Sequence, residues 1–232
     1  MTREAERIRE EFTRRRREMP ADYYARWRPE NLFLRHGQER ALLSGLRDAG
    51  AVPLAGRKVL EVGCGDADWL SIFVEIGSAP SDLSGIDLDE ERVAEARTRL
   101  PVGDFRVGDA SFLPWPDETF DIVAQSTVFS SILDSDMRER VATEMVRVLK
   151  RSGIVVWYDF FVDNPSNSHV RGVSGREIRR LFPGLQCSLR RATLAPPLAR
   201  RLAVRSWGLA AFLEHLKLFD THFLAVLRKE PF

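Results

Sequence analysis

Apolar residues follow two periods along this chain. Short runs are almost continuously apolar: Val59, Leu60 and Val62, then Ile122 to Ala124, then Ile154 to Trp157. Continuous runs of that length suit strands buried on both faces. Between them apolar residues return every three or four positions, as in Trp69, Leu70, Phe73, Val74 and Ile76, or Val141, Met145, Val146 and Leu149. That spacing predicts helices with one buried face. Strands are expected at 58–62, 85–89, 105–110, 120–125, 154–160, 185–193 and 222–228. Helices are expected over 2–17, from Leu42 to Gly50, after Trp69, after Asp89, over 138–150 with Ser152-Gly153 as its stop, and from Ser174 to Leu181. Strands alternating with helices predict an α/β fold around a largely parallel sheet.

The first strand leads into Glu61-Val-Gly-Cys-Gly-Asp-Ala67. Gly63 and Gly65 permit a tight turn that side chains would obstruct. A strand, a glycine turn and a helix form the arrangement at which open α/β sheets bind nucleotides. Glu61 would repel a pyrophosphate, and Ala67 stands where a dinucleotide site would have a third glycine. A carboxylate there suits a ligand bearing a cation, amines or hydroxyls. Asp87 follows Gly65 by 22 residues, at the end of the second strand. An acid about 20 residues past the turn is where a nucleoside ribose is bound.

Composition narrows the classes. The 232 residues fit one α/β domain with additions. A net charge of +1 demands no nucleic-acid partner. Arg14 to Arg17, flanked by Glu10, Glu11 and Glu18, read as a solvated helix face. Cys64 and Cys187 are too few and too far apart for a disulfide framework, and no Cys/His spacing suggests a metal site. The N-terminus lacks an apolar signal and no run is long enough to span a bilayer, so a cytoplasmic protein is expected.

Glu61-Val-Gly-Cys-Gly resembles motif I of the class I S-adenosylmethionine-dependent methyltransferases. Leu113-Pro-Trp-Pro-Asp-Glu-Thr-Phe120 and Glu144-Met-Val-Arg-Val-Leu-Lys-Arg-Ser-Gly153 also resemble that family, with Arg151 and Ser152 replacing a proline and a glycine. The resemblance covers about residues 55–160. It implies a Rossmann-like, seven-stranded, mostly parallel sheet with helices on both faces, and S-adenosyl-L-methionine as cofactor. It implies cofactor contacts from Glu61, Gly63, Cys64, Gly65, Asp87 and Leu88, with Asp109 and Ala110 at the adenine. Gln125 and Ser126 would reach the cofactor from the fourth strand. The Asn/Asp-Pro-Pro-Tyr/Phe motif is absent there, which counts against N6-adenine or glutamine methylation.

Beyond the fifth strand, Asp159 and the loop Asp163–Arg171 concentrate polar residues at the ligand-binding edge. His169 is the candidate base for a hydroxyl acceptor, with Asp159 orienting it or serving instead. The plainer reading is a loop whose side chains satisfy its own backbone. About 25 apolar and basic residues separate the last two strands, where the family has a short hairpin. This insertion, about 195–219, would cap the acceptor site, form a dimer face, rest on a membrane or pack on its own domain. Residues 1–50 are expected as a helical extension or lid, and 51–232 as the methyltransferase domain. The carboxyl half resembles methyltransferases of bacterial surface-polysaccharide biosynthesis, which implies O-methylation of a sugar hydroxyl on a glycan acceptor. A small-molecule O- or N-methyltransferase of secondary metabolism is the alternative, with a non-catalytic cofactor-binding protein or a dehydrogenase behind it. A monomer or homodimer is expected.

Overall fold

The computed structural model describes residues 2–20, 22–165 and 167–229, so the outermost ends of the expected domains lie outside the described residues. One sheet holds seven strands in the order β3-β2-β1-β4-β5-β7-β6. They are β1 (Val59–Val62), β2 (Leu83–Asp87), β3 (Asp104–Val107), β4 (Phe120–Ser126), β5 (Leu149–Phe160), β6 (Leu185–Leu194) and β7 (Asp220–Lys229). Strands β1 to β5 pair in parallel, and β7 runs antiparallel to both β5 and β6. The chain goes from β1 outward to β2 and β3, then returns to place β4 on the other side of β1. Their carboxyl ends therefore diverge into a crevice, the site open α/β sheets use for ligands.

The described helices are α1 (Arg3–Glu18), α2 (Pro29–Asp48), α3 (Leu70–Glu75), α4 (Glu90–Arg99), α5 (Ser135–Val148), α6 (Gly175–Leu181), α7 (Pro196–Leu202) and α8 (Trp207–His215). They cover both faces of the sheet, and the period-two alternation of β5 shows how. Val155 and Trp157 pack on the side of Ile8, Met145 and Ile178, from α1, α5 and α6. Val156 and Tyr158 pack on the side of Leu46, Phe73 and Val93, from α2, α3 and α4.

Several boundaries differ from the sequence expectation. Helix α2 begins at Pro29 rather than near Leu42, because proline suits the first turn of a helix, where no N–H partner is lost. Leu32, Phe33 and Leu34 therefore belong to α2. Helix α5 ends at Val148, and Ser152-Gly153 lies inside β5 instead of stopping the helix. A Cβ on Gly153 would come within 2.9 Å of the Asp121 carbonyl, so this glycine serves close approach of β5 to β4. Strands β2 and β3 end earlier than expected, at Asp87 and Val107. By Asp89 the chain has already turned, since that side chain accepts from the Glu91 and Arg92 N–H groups as the cap of α4.

The insertion sits at the ligand edge. Phe160, the end of β5, pairs with His222, and Leu194 at the end of β6 pairs with Asp220. Helices α7 and α8 connect the end of β6 to the start of β7. Ala199, Ala203 and Ala210 bury against Phe33 of α2 and Leu194 in a small satellite core.

Candidate active site

The β1 turn is tied down by its neighbour. The Gly63 and Cys64 N–H groups both donate to the Ile86 carbonyl, at 2.8 and 3.0 Å. Gly63 and Gly65 have φ of +68° and +53°, in the left-handed region. A Cβ on Gly63 would collide with Val128, and one on Gly65 with the Arg92 guanidinium. The Asp87 carboxylate then joins the loops. It accepts from the Gly65 N–H at 2.8 Å and from the Asp89 N–H at 2.9 Å.

Glu61 lies in β1 just before this turn, 1% exposed, and its Oε2 has no hydrogen-bond partner. Burial pushes its carboxyl well above the usual range, and Asp66, Asp87 and Asp68 push the same way. Arg92 pulls in the other direction. Its guanidinium is 3.5 Å from Asp66 and lies near the Phe12 ring, 5.9 Å from the centroid. Burial alone would lower the Arg92 pKa, but Asp87, Asp66 and Asp89 outweigh it and raise it. Arg92 is thus the counter-ion of a nest of carboxylates. It escaped the sequence reading because α4 positions it by helical phase, with no motif to mark it.

The other expected cofactor residues divide. Cys64 turns its side chain away from the crevice, against Gly85 in the core, and burial raises its thiol pKa. Its backbone stays at the turn. Leu88 packs part-buried in the core shared with α1. Asp109 Oδ1 accepts from the Ser111 N–H and hydroxyl at 2.9 and 2.7 Å, and Ala110 is half-buried beside it. Gln125 is fully buried and engaged locally: Oε1 accepts from the Val128 N–H at 3.0 Å and Nε2 donates to the Tyr158 carbonyl at 3.4 Å. Half-buried Ser126 precedes Thr127, whose φ of +57° is unusual for a β-branched residue. The Thr127 N–H donates to the Tyr158 carbonyl at 2.8 Å, which holds the loop there.

His169 and Asp159 are not brought together. Asp159 is wholly buried, accepting from the Ser130 N–H at 3.1 Å and the Phe160 N–H at 2.8 Å. Burial pushes its carboxyl up to about 6, against the pull of those bonds and of Arg138. The partner of His169 is instead Glu11 of α1, with Nε2 to Oε2 at 3.6 Å. Much of the loop does satisfy itself: Asp163 accepts from the Gly172 N–H and Asn167 from the His169 N–H.

Helix α1 reaches the segments that follow β2, β4 and β5. Arg16 pairs with Asp89 and Glu91 at the start of α4. Arg7 donates to the Ser131 carbonyl at 2.6 Å, and Glu4 accepts from the Leu133 N–H at 2.6 Å, both in the loop after β4. Between α1, Ser131 and His169 there remains a recess of about 10 Å³, room for a water and no more.

An unpartnered buried carboxylate oxygen, two glycines that admit no side chain and an acid bridging the turn fit a ligand with a cationic end and hydroxyls. Residues 60–157 match the family model described as a methyltransferase domain. A phthiotriol/phenolphthiotriol dimycocerosates methyltransferase of Mycobacterium tuberculosis is 34% identical over 58% of this chain and 49% of its own length. A phosphatidylethanolamine N-methyltransferase of Cereibacter sphaeroides is 36% identical over 50% of this chain and 56% of its own. The chain thus spans about half the length of the curated relatives it matches. The solved structure of an S-adenosylmethionine-dependent methyltransferase from Thermotoga maritima covers 97% of this chain and 99% of its own, with a TM-score of 0.64 at 19% identity, a likeness of fold. The fold is Rossmann-like, and the segment 60–157 within it is similar to a methyltransferase domain.

Proposed function

We propose that this chain methylates a polar group on an amphiphilic acceptor, a sugar hydroxyl of a surface-glycan precursor being the acceptor that its carboxyl half implies. The observation that carries the cofactor half is the buried Glu61 oxygen without a partner, near the turn that Asp87 bridges. Bound there, S-adenosylmethionine supplies a methyl group activated by its sulfonium. In this reading Glu61 holds the cationic end through its charge and the Gly63–Gly65 backbone lets the nucleoside approach. Asp87 holds the ribose hydroxyls, while Asp109 and Ala110 hold the adenine. The chain's own contribution is alignment and exclusion of water. His169 accepts the acceptor's proton at Nδ1, since Nε2 faces Glu11, which replaces Asp159 as the acid beside the ring. Residues 1–50 serve as the lid, since α1 closes the edge over all three loops.

A second reading has an observation in its favour. Two of the relatives above carry lipid substrates in their names, one a headgroup amine. N-methylation of a lipid headgroup is therefore the rival to O-methylation of a sugar. Incubation with methyl-labelled cofactor and three acceptor sets separates them: lipid-linked glycans, phosphatidylethanolamine, and soluble sugars and amines. Label in the first set only is the expected result. For the cofactor half, Asp87→Asn keeps a side-chain acceptor for the turn but removes its charge. Calorimetry should show affinity for S-adenosylhomocysteine falling about 10- to 100-fold, the scale of a charge-assisted hydrogen bond. Unchanged affinity in a folded variant would overturn the ribose assignment.

A further inference from the structure

The α7–α8 insertion has a composition that its own packing does not use. One side of it, through Ala199, Ala203 and Ala210, is buried. The other exposes Val204, Leu209, Phe212, Leu216 and Leu218. Leu209, Phe212 and Leu216 recur at spacings of three and four, so they form one outward stripe at and beyond α8. Phe212 is 59% and Leu218 69% exposed, in a segment with helical structure and a core of its own.

Charge accompanies the stripe. Residues 195–219 contain Arg200, Arg201, Arg205 and Lys217, and one acid, Glu214. Glu214 is buried and paired with Arg40 of α2, and Lys217 pairs with Asp220 at 3.2 Å, which leaves Arg200, Arg201 and Arg205 without an acidic partner among the described residues. A second element extends the same region. Arg200 lies 4.1 Å above the Tyr23 ring and 5.9 Å from that of Tyr24, which joins α7 to the segment before α2. There Tyr24 is 60% exposed, and Trp27, three residues on, 73%. Exposed Trp, Tyr, Phe and Leu, interspersed with arginine, are the makeup of surfaces that sit in the headgroup layer of a membrane. The arginines left without an acid complement an anionic surface.

We propose that the α7–α8 insertion, with the adjoining aromatic segment, docks this chain on the surface of an anionic lipid bilayer. The mode is peripheral: among the described residues no helix is long and apolar enough to cross a membrane. Cations meet the phosphates while Leu209, Phe212 and Leu216 enter the interfacial layer. The insertion hangs from the ends of β6 and β7 at the edge that carries the crevice. Docking there brings the crevice to the level of lipid headgroups. That last consequence rests on the methyl-transfer reading; the docking itself does not.

Vesicle sedimentation with the full chain tests it. Wild type should pellet with phosphatidylcholine vesicles containing one-third phosphatidylglycerol, release with added salt, and remain in solution with pure phosphatidylcholine. Phe212→Glu should abolish pelleting, and Arg201→Gln and Arg205→Gln should each weaken it about fivefold. Calorimetry with S-adenosylhomocysteine should give the same affinity in all four proteins. That measurement reports on the cofactor site alone, so its failure would strike the methyl-transfer reading and leave the docking result standing. No pelleting of wild type with anionic vesicles overturns the proposal, as does pelleting unchanged in the folded variants. So does sedimentation velocity showing a wild-type dimer, broken by Phe212→Glu, that binds neither kind of vesicle; a second copy would then cover this face.

Discussion

Arg92 shows what one residue can decide. Its guanidinium rests against Gly65, within the field of Asp66, Asp87 and the buried Glu61. A cationic ligand entering beside Glu61 competes with it for the same carboxylates. Arg92→Met should therefore lower the melting temperature of the free protein, since it leaves acids uncompensated. It should raise affinity for S-adenosylmethionine relative to S-adenosylhomocysteine, which lacks the sulfonium, by several-fold in paired calorimetric titrations. An unchanged ratio would show that the guanidinium does not contend with the sulfonium. The residues with motif spacing were legible in the sequence: Gly63, Gly65, Asp87 and Asp89 occupy the expected turn, strand end and cap. Arg92, Glu11 and Phe12 were not, because their roles come from tertiary approach between distant segments, which leaves no local pattern.

Among the elements, α1 stands out. Its charge-rich sequence was readable as a helix, and its Thr2 cap and termini agree with that reading. Its placement was not readable, for a helix with so many arginines and glutamates suits open solvent equally well. The polar side chains turn out to be its fasteners: Glu4 to the loop after β4, Glu11 to His169, Arg16 to the start of α4. Loosening one fastener should speed ligand entry without altering the crevice. Phe12→Ala removes the ring beside Arg92 and the apolar contact under it. Stopped-flow binding of S-adenosylhomocysteine should show a faster association rate, with hydrogen exchange in α1 rising and that in β1 and β4 unchanged. Equal rates would mean that α1 does not govern entry. The insertion was legible as a long apolar-basic stretch, yet its four candidate roles could be narrowed only once its exposed and buried sides were known.

For the molecule as a whole, two buried groups give stability opposite slopes with pH. His222 is stacked on Tyr158 and near Phe160, and burial lowers its pKa to about 3. The unfolded chain binds that proton from about pH 6.5 downward, so stability is lost as pH falls from 6.5 toward 3, by about 1.4 kcal/mol per unit. Asp159, raised to about 6, does the reverse: the folded chain takes its proton first, so stability is gained as pH falls from 6 toward 3.8. The two largely cancel between pH 6 and 4. His222→Phe removes only the first, so its melting temperature relative to wild type should climb steadily as pH is lowered from 6.5 to 4. A constant offset would place the imidazole in contact with water. The parallel core of the sheet, β1 to β5, was legible because buried strands and amphipathic helices alternate there. The runs of β6 and β7 were read as strands too, but the reversal at β7 leaves no mark in the apolar pattern. At that margin ten residues of β6 lie at the end of the strand order, with β7 on one side only. An unfilled row of backbone donors and acceptors invites a foreign strand, and Arg190 and Arg191 are the deterrents there, one tethered to Asp48 and the other lying over Phe161. Replacing those two arginines with valine is therefore expected to cost solubility, read as light scattering at high concentration.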